Sequence, residues 1–152
     1  MEVKLDYTLM RICKEFASLS HCVSQKVACI AVKDGRIIST GINGTASGFV
    51  NCDSIFNEQD FNREDHHTFS ETYEIHAEMN MVLYAAKNGI ALNDATIYCT
   101  LHPCWQCVKN LSALGIKKIF YNEVYDRLTS EDIQAITSYC QKLNILIEQL
   151  KV

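Results

Sequence analysis

The chain is short of several things, and each shortage excludes something. It has one proline, Pro103, so the ring that ends helices is absent everywhere else. No cluster of basic residues is longer than Lys117-Lys118, and the net charge is −4, which leaves no electrostatic footprint for nucleic acid. No apolar run reaches the roughly 18 residues of a membrane-spanning helix. Residues 1–6 do not begin a signal peptide. The eight cysteines are therefore expected as reduced thiols and metal ligands in a cytoplasmic protein, not as disulfides. No internal repeat or low-complexity segment stands out. What is present is 152 residues, 48% of them apolar, which is enough for one domain over residues 1–152 with a real core.

Two short stretches carry the chemistry. His76-Ala77-Glu78 opens a run with Met79, Val82, Leu83 and Ala86 at helical spacing, stopped by Asn88-Gly89. Pro103-Cys104-Trp105-Gln106-Cys107 places the proline where a helix starts, and that helix is expected to reach Leu114 with Gly115 just beyond it. One histidine and a Cys-x-x-Cys supply three ligands, the number a catalytic zinc takes when its fourth position is left for water. Helix N-termini favour thiolate over thiol. Glu78 lies two residues past His76, roughly 200° around a helix, so it is free to carry protons beside the bound water. A Cys-x-x-Cys alone also occurs in redox motifs and structural zinc knuckles. The combination H-x-E with P-C-x-x-C is the signature of zinc deaminases of nucleobases. In that chemistry zinc lowers the pKa of water towards about 7. One carboxylate, here Glu78, takes a proton from the water, protonates N3 of the base, and then protonates the leaving amine.

Around these motifs the chain alternates. Residues 5–19 are predicted to be a helix with Leu5, Leu9, Ile12, Cys13 and Phe16 on one face. Residues 27–32 form a buried strand, Asp34-Gly35 a hairpin turn, and residues 36–42 an antiparallel partner. Residues 43–54 are a small-residue loop, and residues 54–73, polar and aperiodic, are expected to form a lid beside the site. Residues 95–100 and 117–121 are predicted strands. Thr129 caps a helix over about 130–143 with Ile133, Ile136 and Cys140 on its apolar face, and residues 144–150 form a last strand. Helices alternating with strands imply a layered α/β domain.

The stretches Glu74-Ile75-His76-Ala77-Glu78-Met79-Asn80 and Thr100-Leu101-His102-Pro103-Cys104-Trp105-Gln106-Cys107 resemble the zinc-dependent cytidine and deoxycytidylate deaminase superfamily. The stretches Gly35–Gly44, Gly115–Tyr121 and Tyr125-Asp126 resemble its deoxycytidylate deaminases, especially the phage type. The resemblance covers most of residues 5–127. It implies a three-layer α-β-α sandwich around a mixed five-stranded sheet. It also implies hydrolysis of dCMP to dUMP and ammonia, with dUMP feeding thymidylate synthesis. His76, Cys104 and Cys107 then hold the catalytic Zn2+, and Glu78 is the catalytic residue. Asn43 contacts the deoxyribose or base, Ala77 presents backbone at the base edge, Tyr125 packs on the base, and Lys26 is a phosphate partner. Tyr125 can equally be a half-buried tyrosine, and a surface lysine is the commoner reading of Lys26. Cys22, Cys52, His66 and Glu74 match a second zinc site of the phage type, with His67 as an alternative ligand. Trp105 and His102 depart from what the family often carries beside the pocket. A homo-hexamer is implied, activated by dCTP with Mg2+ and inhibited by dTTP, with Tyr84 and Lys87 facing a neighbour. His76 disfavours a free-nucleoside substrate, and the acidic chain disfavours transfer RNA. Deamination of another cytosine or adenine compound, and a zinc-stabilised binding module without turnover, remain the alternatives.

Overall fold

The computed structural model describes residues 2–152. In chain order it contains α1 (Glu2–Ala17), β1 (Ala28–Lys33), β2 (Arg36–Ile42), β3 (Gly44–Thr45), α2 (Arg63–Tyr73) and β4 (Glu74–Ile75). There follow α3 (Ala77–Lys87), β5 (Thr96–Leu101), α4 (Trp105–Ser112), β6 (Lys118–Glu123), α5 (Ser130–Lys142) and β7 (Leu146–Gln149). The main sheet has five strands in the order β2-β1-β5-β6-β7. β1 runs antiparallel to β2 and β5, while β5, β6 and β7 are parallel, so the sheet is mixed as expected.

Alternation along the strands divides the core into two layers. Cys29, Ala31, Ile97, Cys99, Ile119 and Ile147 pack with the helices α3, α4 and α5. Ala28, Ile30, Val32, Tyr98 and Phe120 face α1 instead. Both faces of the sheet are thus covered, which gives the three-layer sandwich. It also explains why β1 reads as a continuous apolar run with no alternation. The β1–β2 hairpin turns on Asp34 and Gly35, with φ of +53° and +73°, the left-handed pair that a two-residue type I′ turn requires. Thr129 caps α5 in a reciprocal capping box with Asp132.

Four expectations need correction. Residues 54–73 are not a structureless lid. A short 3-10 turn (Cys52–Ser54) and the eleven-residue α2 occupy most of that stretch. Asn62 caps α2 by accepting from the Asp65 amide, and Glu64 and Asp65 lie in its first turn. His67 therefore stands on a helix, not at an irregular position. The buried side of α1 is Leu9, Met10, Cys13 and Ala17, whereas Leu5 and Ile12 are 41% and 37% exposed. On α3 the buried side is Ala77, Glu78, Met81 and Ala85, not Met79, Leu83 and Ala86. In both helices apolar residues occur on more than one face, so the period alone does not say which face the sheet covers. Finally, α4 stops at Ser112, two residues before Leu114.

α3 is fastened to β2. The Ser39 hydroxyl donates to the Met81 carbonyl at 2.7 Å, and the Asn80 amide donates to the Ile42 carbonyl at 2.7 Å. Gly41 allows the close approach, because a Cβ there would collide with the backbone of Ala77 and Met81. At the end of β2 a two-residue ladder pairs Gly44 with Ile75 and Thr45 with Glu74. This small ladder is separate from the main sheet, and it ties the segment just before His76 to the chain leaving β2.

Candidate active site

His76 is the N-cap of α3, Cys104 is the N-cap of α4, and Cys107 is buried in α4's first turn. Both helix N-termini point at one place because β5 delivers α4 beside α3. His76 Nδ1 lies 3.6 Å from Cys104 Sγ and 3.4 Å from Cys107 Sγ. Tetrahedral zinc with ligands at about 2.0–2.3 Å has edges of roughly 3.3–3.8 Å, so these separations fit one ion. The electrostatics agree. A hydrogen bond from Cys107, aided by His76, pulls the Cys104 thiol down to about 4, while Cys107 itself is pushed up. The Cys104 sulfur in turn raises His76 to about 9 against the effect of its burial. This donor set seeks positive charge, and a divalent cation can satisfy both sulfurs at once.

Glu78 follows in the first turn of α3 and is buried. Burial pushes its carboxyl above the usual range, opposed by a hydrogen bond from Cys107 and by the charge of His76. A carboxyl raised in this way, next to the ligand cluster, is suited to both gain and lose a proton. The cluster opens into a cavity of about 330 Å³, also lined by Asn43, Ala77 and Tyr125.

Asn43 has a bracing role. Its Oδ1 accepts from the Ser20 hydroxyl at 2.7 Å and the Val27 amide at 2.9 Å, and its Nδ2 donates to the Gln25 carbonyl at 2.7 Å. These bonds hold residues 20–27 against the pocket wall. His102 is buried behind Pro103. Its Nδ1–H donates to the Pro103 carbonyl at 2.8 Å, its ring lies 4.5 Å from that of Tyr121, and its Nε2 has no partner. Lys26 is not brought to the cavity. Its ammonium donates to the carbonyls of Cys22 and Ser20 and lies 3.6 Å from Glu58. The cations that do line the cavity are Arg63 and Arg127. Sequence reasoning missed both. Arg127's one signal was its place two residues after Tyr125.

A second cluster gathers Cys22, Cys52, His66 and Glu74, whose ligand atoms all lie within 4.8 Å of one another. Cys22 Sγ is 3.5 Å from His66 Nε2 and from Glu74 Oε1, and His66 Nε2 is 3.5 Å from Glu74 Oε1. Those separations are again tetrahedral edges. The second Glu74 oxygen is buried without a partner, an orphan that a bound cation would explain. Burial lowers His66, which keeps the imidazole neutral for ligation, and Phe56 and Phe61 shield it from solvent. His67, one residue on, turns away and meets Arg127 instead.

A profile of the cytidine and deoxycytidylate deaminase zinc-binding region matches residues 3–123. The deoxycytidylate deaminase of Enterobacteria phage T4 is 36% identical over 151 residues, covering 79% of this chain and 78% of the phage protein. The deoxycytidylate deaminase of Saccharomyces cerevisiae is 31% identical over 138 residues, covering 90% of this chain and 43% of the yeast protein. Among solved structures, the dCMP deaminase of cyanophage S-TIM5 in complex with dCMP and dUMP superposes with a TM-score of 0.77 at 28% identity, over 99% of both chains. With the ligand cluster, the buried carboxyl and the mixed sheet already in place, these likenesses put the chain in the cytidine and deoxycytidylate deaminase family.

Proposed function

We propose that the protein hydrolyses dCMP to dUMP and ammonia. The observation that carries this reading is the convergence of His76, Cys104 and Cys107 with the buried Glu78 at the base of one cavity. The relatives named above, deoxycytidylate deaminases by name, supply the substrate. Zinc held by those three residues would lower the pKa of a bound water towards about 7 and so furnish the nucleophile. The rest falls to the chain itself. Glu78 takes a proton from the attacking water and delivers it to N3 as the C4–O bond forms. It then delivers the second proton to the amine as the C4–N bond breaks, and ammonia leaves. Ala77 presents its backbone to the base edge, and Tyr125 covers a face of the ring. Asn43 fixes the wall against which the sugar rests.

Cys22, Cys52, His66 and Glu74 hold a second zinc in this reading. The chemistry of the donor set and the orphaned Glu74 oxygen support it. The product would supply thymidylate synthesis, a cytoplasmic task. No helix among the described residues is long and apolar enough to cross a membrane.

The reading extends to assembly and regulation. Leu83 and Tyr84 on the outer side of α3 are 49% and 52% exposed, beside Lys87, which suits burial against further copies in a homo-hexamer. Activation by dCTP with Mg2+ and inhibition by dTTP require each to bind one conformational state better than the other. Sigmoidal dCMP kinetics, made hyperbolic by dCTP with Mg2+ and suppressed by dTTP, are expected from a hexamer. Hyperbolic kinetics from a monomer, blind to both nucleotides, would remove the regulatory part alone.

The primary test is direct. The zinc-loaded protein is incubated with dCMP, CMP, deoxycytidine and adenosine, and ammonia release is followed. Preference for dCMP supports the reading. Preference for another of the four overturns it, and no release from any would favour a binding module.

A further inference from the structure

We propose that Arg127, held in position by His67, anchors the 5′-phosphate of the substrate and thereby makes the site select a nucleotide over a nucleoside. This rests on the dCMP reading and deepens it.

A 5′-monophosphate carries nearly two negative charges near neutral pH. The cavity already holds Glu71, Glu74 and Glu78. A dianion can enter only if cations meet it, and the permanently charged side chains lining the cavity are Arg63 and Arg127. Lys26 is committed to the Ser20 and Cys22 carbonyls and to Glu58.

Of the two arginines, Arg127 is the one held by a second element. Its Nη1 donates to His67 Nδ1 at 3.3 Å, a contact between residues 60 apart in sequence. The bond ties α2 to the turn between β6 and α5, and both of its residues line the cavity. It occupies one of the guanidinium's five donors. The others remain for phosphate oxygens, in the fork geometry that suits them. His67 must carry its proton on Nε2 to accept at Nδ1. It is therefore a positioning residue: it reduces the number of side-chain states Arg127 must give up when substrate arrives. The support beneath it is firm, because His66, its neighbour on α2, belongs to the buried second cluster. Arg127 also follows Tyr125 by two residues, so one short turn brings a ring for the base and a cation for the phosphate to the same cavity. Arg63, 5.5 Å over the Phe61 ring, adds a second positive charge.

The test compares kcat/KM for dCMP and deoxycytidine in zinc-loaded parent protein and in four variants, with metal content measured in each. Arg127→Gln is expected to lower the dCMP value roughly 10- to 100-fold, chiefly through KM, and to leave deoxycytidine nearly unchanged. Arg127→Lys should recover part of the loss, because the charge returns without the fork. His67→Ala should cost dCMP about 3- to 10-fold, and His67→Asn, whose carbonyl can accept the same bond, should restore most of it. Equal losses on both substrates in Arg127→Gln would overturn the proposal while the deaminase reading stands. His67→Asn as damaging as His67→Ala would overturn the role of His67. No dCMP turnover in the parent protein would instead sink the functional reading, and this inference with it.

Discussion

A Cβ on Gly41 would overlap the carbonyl oxygen of Ala77 and the backbone nitrogen of Met81. Both neighbours are main chain, so no rotamer change relieves the clash. The strand and the helix that carries Glu78 must separate. Gly41→Ala is expected to destabilise the protein by about 3 kcal/mol or more, the upper end of overpacking costs, and to weaken metal retention by moving His76. Gly44→Ala is the control, since an added methyl there meets nothing within 4 Å. It should change stability by no more than about 0.5 kcal/mol. Urea midpoints of the two variants decide the matter, and equal midpoints would contradict the contact.

Glu78→Ala should fold and keep its zinc, because the carboxyl is not in the ligand set. Removing a buried acid with a raised pKa also relieves a desolvation cost. Turnover should fall by at least roughly 10³-fold, since one proton carrier serves every transfer. Metal analysis beside a single-turnover assay tests this. Loss of zinc in the variant would reassign Glu78 as a ligand.

Metal content distinguishes the two clusters. Purified protein is expected to hold close to two zinc ions per chain, one for each ligand cluster. Cys104→Ser should abolish activity. Cys22→Ser or Cys52→Ser should remove the other ion, lower thermal stability and loosen α2 with a smaller direct effect on chemistry. A stoichiometry of one that neither of those two substitutions changes would eliminate the second site.

Alkali should weaken the fold through thiols that hold no metal. Cys13, Cys29, Cys99 and Cys140 are buried outside both clusters. Burial raises Cys13, Cys29 (to about 11) and Cys140, and a hydrogen bond to Cys29 together with burial raises Cys99. Above the unfolded value of 9.0 the unfolded chain releases these protons while the folded chain keeps them. The unfolded state then binds fewer protons, so stability falls as pH rises, by up to about 1.4 kcal/mol per thiol per pH unit. The contribution is intact below about pH 9 and shrinks above it. Urea midpoints under reducing conditions at about pH 8 and about pH 10 should show the drop, and a flat response would contradict the buried, protonated thiols.

The parts of the site legible in sequence are those in which local spacing fixes geometry. His76, Glu78, Cys104 and Cys107 sit at helix starts, where two or three residues determine direction. β1, the Asp34-Gly35 turn and the Thr129 cap were readable for the same reason. α2 was not, because it buries only His66 and Phe69 and so shows no apolar period. Its signals were the Asn62 cap and two acids in the first turn. The second cluster was found through resemblance, since its ligands are scattered over residues 22–74 and only folding brings them together. The burial directions of α1 and α3 depended on how near a helix can come to the sheet, and Gly41, not any residue of α3, decides that for α3. Arg63 and Arg127 stay exposed in the fold, and only the placement of α2 and the β6–α5 turn brings them to the cavity; no period or motif marks such residues.

Trp105 is the chain's one tryptophan. It directly follows Cys104, packs edge-on against Tyr139 at 5.6 Å and is 40% exposed. Its indole emission is therefore an optical signal from a single corner of the molecule. Ligand exchange at Cys104 and separation of α4 from α5 both alter the surroundings of that ring. No label is needed to follow metal loading in a catalytically dead variant, or to time the closing of this corner during refolding. The rest of the protein contributes no tryptophan background to either measurement.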